Sequence, residues 1–232
     1  MTTNGRISPA TRWHRMPDPE ALVRAVTQRI IELAHTAIAT HAGFRIVLAG
    51  GSTPQAVYRE LVDASTDWSR WQVYFGDERC LPVDDPERNS VMATHSWLGQ
   101  VPIPVSNIHP IRAELGPEAA ASRYASVIAE ARPFDLVLLG MGEDGHTASL
   151  FPGRHLDVSG NVHPVHHAPK PPPDRVSLGV EALNDSEEVL ILVAGSNKRA
   201  AVQRWKTGDT LPVTAIHGHR GVDVYIDAAA DG

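Results

Sequence analysis

The segment Arg45-Ile-Val-Leu-Ala-Gly-Gly-Ser-Thr-Pro54 determines the fold class of this chain. Its first five residues form a nearly continuous apolar run, typical of a strand that is buried on both faces. Two glycines, two hydroxyl residues and a proline follow, and they predict a tight turn into a helix. A buried strand that leads directly into a helix is the building unit of parallel α/β sheets.

The same succession of strand and helix continues along the chain, with no internal repeat. It predicts an α/β fold with an open, mostly parallel sheet and helices on both faces, in a single domain over residues 1–232. Residues 152–175 hold six prolines and four histidines and predict an irregular excursion. Predicted strands lie near Thr11–Arg15 and over Arg45–Ala49, Gln72–Phe75, Phe134–Leu139, Val176–Val180, Val189–Val193, Val213–Ile216 and Val222–Ile226; predicted helices are Asp18–Thr40, Gln55–Asp63, Asn89–Leu98, Gly116–Ala131 and Asn197–Thr207.

Composition narrows the classes of function. The 232 residues carry a formal charge of −6, which argues against a general nucleic-acid binder. One cysteine, Cys80, cannot form an internal disulfide and fits a reducing, cytoplasmic setting. No apolar run approaches the roughly 20 residues of a membrane span, and residues 1–15 lack the apolar core of a secretory signal. Composition thus argues against membrane and nucleic-acid partners. Independently of it, we expect a small-molecule substrate and a monomer or weak homo-oligomer.

Ligands of parallel sheets bind at the carboxyl ends of the strands, so the loops there are the candidates for chemistry. The first is Gly50-Gly51-Ser52-Thr53, which opens a helix and offers free N–H groups and hydroxyls to a phosphate. It lacks the Gly-Lys-Ser/Thr of a Walker loop. The alternative is an ordinary turn between strand and helix.

A second candidate loop is Gly76–Arg79, which places a carboxylate and a guanidinium after a predicted strand. Asp77 can steer a proton, and Arg79 can hold an anion. Asn89, slightly further on, can cap a helix or bind a hydroxyl group. The alternative interpretation is a solvated charged loop.

The third loop, Gly140–His146, formally matches the dinucleotide pattern G-x-G-x-x-G. That interpretation requires a helix directly afterwards, and the sequence continues instead into Phe-Pro-Gly and the proline-rich excursion. We therefore treat the match as coincidental. The loop leaves Asp144 and His146 at the edge of the sheet, where histidine is the commonest general acid or base. A histidine that only satisfies turn carbonyls is the alternative.

Two basic residues complete the predicted site. Arg175 leads into one predicted strand, and Lys198 opens a helix after another, so both can reach the same crevice. Each alone is more commonly a surface charge. The excursion's histidines match no standard spacing of metal ligands, so no metal is expected, and no G-x-S-x-G nucleophile motif occurs. These histidines are His155, His163, His166 and His167.

Several of these motifs, in this order, resemble the family of 6-phosphogluconolactonases and amino-sugar-6-phosphate isomerases. The segment around and after the predicted strand Phe134–Leu139 carries the most specific part, because the isomerases lack its Ala-Ser-Leu-Phe-Pro. The motifs are Leu-Ala-Gly-Gly-Ser-Thr-Pro (48–54), Phe-Gly-Asp-Glu-Arg (75–79), Arg-Asn-Ser (88–90), Phe-Asp-Leu-Val-Leu-Leu-Gly-Met-Gly-Glu-Asp-Gly-His-Thr-Ala-Ser-Leu-Phe-Pro-Gly (134–153) and Lys-Pro-Pro-x-x-Arg (170–175).

The resemblance implies hydrolysis of 6-phospho-D-glucono-1,5-lactone, in the oxidative pentose phosphate pathway, without metal or organic cofactor. It implies that His146 is the catalytic histidine and that the phosphate lies on the 51–53 turn, with Arg175 and Lys198 as its basic partners. It places Asp77, Arg79, Asn89 and Asp144 near the sugar ring. The rival interpretations are an amino-sugar-6-phosphate isomerase or deaminase, a non-catalytic sugar-phosphate sensor and a nicotinamide-dependent oxidoreductase.

Overall fold

The computed structural model describes residues 11–153 and 160–232. Strands and helices alternate over most of these ranges, as the sequence predicts. The strands are β1 (Thr11–Met16), β2 (Phe44–Leu48), β3 (Trp71–Phe75), β4 (Asp77–Arg79), β5 (Phe134–Gly140), β6 (Val162–Val165), β7 (Arg175–Leu178), β8 (Ser186–Val193) and β9 (Val222–Asp227). The helices are α1 (Pro19–His41), α2 (Ser52–Leu61), α3 (Asn89–Ala93), α4 (Pro117–Ala131), α5 (Val180–Asn184), α6 (Arg199–Lys206) and α7 (Ala228–Asp231).

Six strands form one parallel sheet in the order β1-β9-β8-β5-β2-β3. Consecutive residues are buried in β2, β5 and β8, which shows that both faces of this sheet are covered. This confirms the predicted fold class. Most buried apolar side chains of the described residues, from helices and sheet alike, pack into one cluster. The prediction of a single domain over 1–232 stays a prediction.

Helix α1 shows how local sequence produces an element of this fold. Asp18 accepts a hydrogen bond from the amide of Ala21, Pro19 occupies the first turn, and Ala42 ends the helix in a left-handed conformation. Leu22, Val26 and other residues at helical spacing are buried against the sheet. None of the helices in the described ranges combines the length and the apolar character needed to cross a bilayer.

A second, antiparallel sheet of order β4-β7-β6 corrects three details of the prediction. Asp77–Arg79, expected as loop, is strand β4, because the chain leaves the parallel sheet at Gly76 and pairs with β7. The segment predicted as Val176–Val180 is β7 and lies in this small sheet. The excursion contributes β6 to it, since Val162 and His163 turn inward to be buried.

The predicted strand Val213–Ile216 is wrong. Residues Pro212–Ala215 form a 3₁₀ turn instead, in which Pro212 occupies the first position and the Thr214 hydroxyl donates to the carbonyl of Leu211. A short apolar run alone does not distinguish such a buried turn from a strand. The predicted helix Asn89–Leu98 is present as α3 followed by a π-helical turn at Thr94–Leu98. His155 lies outside the described residues.

Candidate active site

A cavity of about 400 Å³ opens at the carboxyl edge of the parallel sheet. The loops that follow β2, β3, β5 and β8 line it, together with residues that precede β7. Ten of the eleven predicted site residues line this cavity, and Asp144 lies behind one of them. The ten are Gly50, Gly51, Ser52, Thr53, Asp77, Arg79, Asn89, His146, Arg175 and Lys198.

The turn after β2 presents backbone amides to the cavity. Helix α2 begins at Ser52, and its capping residue is Gly51, with φ of 107° and no side chain to accept the first amide protons. Such a helix N-terminus favours an anion. The buried hydroxyl of Tyr58 accepts from the amide of Ala49 at 3.0 Å and donates to its carbonyl at 2.8 Å. Tyr58 thereby holds the end of β2 in place.

Asp77 is buried and fixed by two donors. Its carboxylate accepts from the Asn89 side-chain amide at 2.9 Å and from the Ser149 hydroxyl at 2.6 Å. Asn89 also packs so closely on Gly50 that a Cβ atom there would overlap its amide. The four residues connect the loops after β2, β3 and β5 into one wall of the cavity. Ser149 is not among the predicted site residues, although it belongs to the motif 134–153.

A buried ion pair lies beneath this wall. The Glu78 carboxylate is fully buried and accepts from the amides of Arg79, Asn89 and Ser90 at 2.7–2.9 Å. Arg88, only 2% exposed, lies with its Nε 3.5 Å from Glu78, and it donates to the Glu114 carboxylate at 3.0 Å and to the Ile111 carbonyl. The pair fastens β4 to α3 and so orients Asp77 and Asn89.

His146 projects from the glycine-rich turn after β5. Its Nδ1 lies 2.5 Å from Oδ1 of Asp144, which also accepts from the His146 amide. Gly142 packs against this pair so tightly that a Cβ atom would overlap the imidazole. No helix follows the turn directly within the described residues 141–153, so the context required for dinucleotide binding is missing, as expected.

The surroundings of His146 keep its imidazole neutral near pH 7. Burial lowers the pKa of His146 below its ordinary value of 6.5, outweighing the raising effect of Asp144, and the charge of Lys170 lowers it further. Burial alone would raise the pKa of Asp144, but its hydrogen bonds with His146 bring that pKa below the ordinary value. The pair therefore holds an anionic carboxylate against a neutral ring.

Arg175 has a structural task beside its place in the cavity. Its buried guanidinium donates to the carbonyls of Lys170, Pro171 and Pro172, and it lies 5.7 Å from the centre of the Phe151 ring. Phe151 in turn packs against the ring of His146, with centroids 4.9 Å apart. Arg175 thus shapes the loop that precedes β7, a role our sequence reasoning did not foresee.

Three further cavity residues with polar side chains were not predicted from the sequence: Glu143, Lys170 and Asn197. Lys170 was visible as the first residue of the motif Lys-Pro-Pro-x-x-Arg. Glu143 lies inside the glycine-rich loop, and nothing in the sequence distinguishes it from a carboxylate that faces only solvent. Asn197 adjoins Lys198. The described residues contain no group of three or more histidine, cysteine or acidic side chains that could hold a metal ion.

Comparison with known proteins identifies the family. The family described as Glucosamine-6-phosphate isomerases/6-phosphogluconolactonase matches residues 17–225. A 6-phosphogluconolactonase of Streptomyces coelicolor is 37% identical, over 92% of this chain and 90% of that protein. The chain belongs to this family. A crystal structure of 6-phosphogluconolactonase from Thermotoga maritima has a TM-score of 0.89 at 29% identity, over 94% of this chain and 100% of that one.

Both branches of the family share this fold. A monomeric glucosamine-6-phosphate deaminase superposes with a TM-score of 0.84 at 21% identity, over 94% of this chain and 98% of that one. At that identity the likeness concerns the fold alone. The choice between lactonase and deaminase therefore depends on the relatives that are more similar in sequence and on the residues of the site.

The buried pair of Glu78 and Arg88 yields a stability prediction. Arg88→Met leaves the Glu78 carboxylate buried without its counter-ion, and we expect a loss of about 3–5 kcal/mol in the free energy of unfolding, measured with urea. The matched control is Arg204→Met, because Arg204 pairs with Asp209 but is 52% exposed, and it should lose at most about 1 kcal/mol. Equal losses in the two variants would contradict this account of the ion pair.

Proposed function

We propose that this chain hydrolyses 6-phospho-D-glucono-1,5-lactone to 6-phosphogluconate. The observation that carries the proposal is that a neutral imidazole, His146, and a cationic corner with free amides line the same cavity. Relatives at 34–39% identity over most of the chain bear the name 6-phosphogluconolactonase. The motif residues Ser149 and Phe151, which mark the lactonases, contact Asp77 and His146 respectively.

The phosphate group of the substrate binds, in this proposal, at the start of α2. Ser52 and Thr53 line the cavity there and offer backbone amides and hydroxyls at the start of the helix, and Lys198 and Arg175 supply positive charge. Anchoring the phosphate holds C1 of the lactone near His146, so the binding energy serves to orient the reacting carbonyl. Asp77 and Asn89 lie between these two ends as hydrogen-bond partners for ring hydroxyls.

His146 acts as general base and then as general acid. Its Nδ1–H donates to Asp144, which leaves Nε2 to accept a proton from water. The water oxygen bonds to C1 and the carbonyl electrons move to its oxygen. When these electrons re-form the carbonyl, the bond between C1 and the ring oxygen breaks, and the imidazolium gives its proton to the ring oxygen. Asp144 stabilises the imidazolium while it exists. The scheme uses no metal and no organic cofactor.

Arg79 is the better supported candidate for stabilising the oxyanion. The alternative is a backbone N–H of the glycine turn, but the amide of Gly142 already donates to the His146 carbonyl and that of Gly145 to Gly142. Arg79 lines the cavity, and its Nε–H is buried without an acceptor among the described residues. One side of its guanidinium donates to the Glu87 carbonyl, which fixes its direction.

The proposal also covers the cellular location, the oligomeric state and the partners of the enzyme. A cytoplasmic enzyme is supported by the single, unpaired cysteine, Cys80. The expectation of no nucleic-acid partner agrees with the net charge of −6. A monomer or weak homo-oligomer stays a prediction.

Freshly prepared 6-phosphogluconolactone tests the proposal directly. We expect turnover well above the spontaneous hydrolysis, poor turnover of the unphosphorylated lactone and no ammonia release from glucosamine-6-phosphate. His146→Ala should lower kcat by about 10²–10⁴-fold, because the general base is gone. His95→Ala, at an exposed position, is the matched control and should keep the wild-type rate. Wild-type turnover no faster than the spontaneous reaction would refute the function, and near-native turnover of His146→Ala would refute the assignment of the base.

The dependence of kcat/KM on pH tests the pair of His146 and Asp144. Its acid limb reports protonation of the free imidazole and should lie below pH 6.5, because burial lowers the pKa of His146. Asp144 raises that pKa, so Asp144→Asn should move the limb to still lower pH while the plateau falls. Asp209→Asn removes an exposed carboxylate that pairs with Arg204 and should leave the profile unchanged. A limb that moves to higher pH in Asp144→Asn would contradict the pairing.

Lys198→Met tests the phosphate anchor. Loss of one charge-assisted contact to the phosphate should raise KM about 10–100-fold and change kcat little. Lys206→Met removes a lysine of α6 that pairs instead with Asp231, and it should leave KM unchanged. An unaltered KM in Lys198→Met would remove Lys198 from the proposed anchor.

A further inference from the structure

One carboxylate of the cavity is paired with two of its lysines. Glu143, in the turn after β5, accepts a hydrogen bond from Nζ of Lys170 at 2.5 Å, and its other oxygen lies 3.7 Å from Nζ of Lys198. All three side chains line the cavity. The phosphate of the proposed substrate therefore meets lysines that already have an anionic partner.

The burial of these groups shows which of them can move. The side chain of Glu143 is 51% exposed, whereas those of Lys170 and Lys198 are 33% and 19% exposed. Glu143 therefore has open solvent into which it can rotate, while the ammonium groups stay at the cavity. The hydrogen bond from Lys170, together with the charges of both lysines, lowers the pKa of Glu143, so the carboxylate is anionic near pH 7.

We propose that Glu143 is an internal competitor for the anion subsite, which a phosphate dianion displaces and which returns to the lysines when the product leaves. The identity of the natural ligand rests on the proposed function, whereas the competition itself does not. This competition weakens the binding of the product more than that of the substrate. Hydrolysis of the lactone adds a carboxylate to a molecule that already carries a phosphate, so the product is repelled by Glu143 more strongly than the substrate. Glu143 thus favours product release.

Binding of inorganic phosphate to Glu143→Gln tests the competition without any turnover. At a pH where the phosphate dianion predominates and at low ionic strength, calorimetry should show about three- to tenfold tighter binding than in the wild type. High salt should reduce the gain, because the charges are partly exposed. Structural damage does not produce tighter binding. Glu130→Gln, an equal change of charge at an exposed position of α4, is the matched control and should leave the affinity unchanged. Equal or weaker phosphate binding in Glu143→Gln overturns the proposal.

A double-variant cycle tests whether Glu143 acts through Lys170. Lys170→Met should weaken phosphate binding more in the Glu143→Gln background than in the wild type, because only there is the ammonium free of its carboxylate. Equal effects of Lys170→Met in the two backgrounds would contradict the hypothesis that Glu143 acts through its pairing with Lys170.

Product inhibition then tests the consequence for release. In the lactone assay, the inhibition constant for 6-phosphogluconate should be about three- to tenfold lower in Glu143→Gln than in the wild type. An unchanged inhibition constant would exclude the role in product release. If the wild type failed to hydrolyse the lactone, the proposed function would fall, while the phosphate titrations would still decide whether Glu143 competes for the subsite.

Discussion

Parallel pairing of β2, β3, β5 and β8 is the constraint on which the site depends. Parallel strands all end at the same edge of the sheet, so loops far apart in sequence meet there. In this chain that edge brings the 50–53 turn, Asp77, His146 and Lys198 around one cavity. The edge strand β3 contributes in a different way. It ends at Phe75, and from Gly76 the chain crosses into the small antiparallel sheet, which brings Asp77 and Arg79 to the cavity wall.

Leaving a sheet at a buried edge exposes backbone groups that need partners. Two tyrosine hydroxyls supply them here. Tyr58 of α2 binds the amide and carbonyl of Ala49 at the end of β2, and Tyr124 of α4 accepts from the amide of Phe75 at the end of β3 and donates to the His109 carbonyl. The Glu78 carboxylate likewise accepts hydrogen bonds from three backbone amides in and after β4. Rigid strand ends allow a short turn to hold the groups of the candidate site in position.

The local sequence predicted the elements that carry strong periodic signals, and it predicted the loops that line the cavity. The apolar run before Gly50 and the capping pattern at Asp18 are local features, and both appear as expected. Strand β6 and the 3₁₀ turn at Pro212–Ala215 depend on long-range packing, which a short window cannot show. Likewise, the local sequence does not show that Ser149 contacts Asp77 or that Glu143 pairs with the two lysines, because these partners lie elsewhere in the chain.

The charges of the cavity also show why net charge is a poor guide to what a site binds. The chain as a whole is acidic at −6, yet Arg79, Lys170, Arg175 and Lys198 converge on one cavity whose acidic lining residues are Asp77 and Glu143. The two hydrogen bonds that Asp77 accepts from Asn89 and Ser149 hold its charge in place. Glu143 instead reaches the lysines from the solvent side. A site balanced in this way can attract a phosphate dianion and still release a product of higher charge, because one of its own anions is free to return.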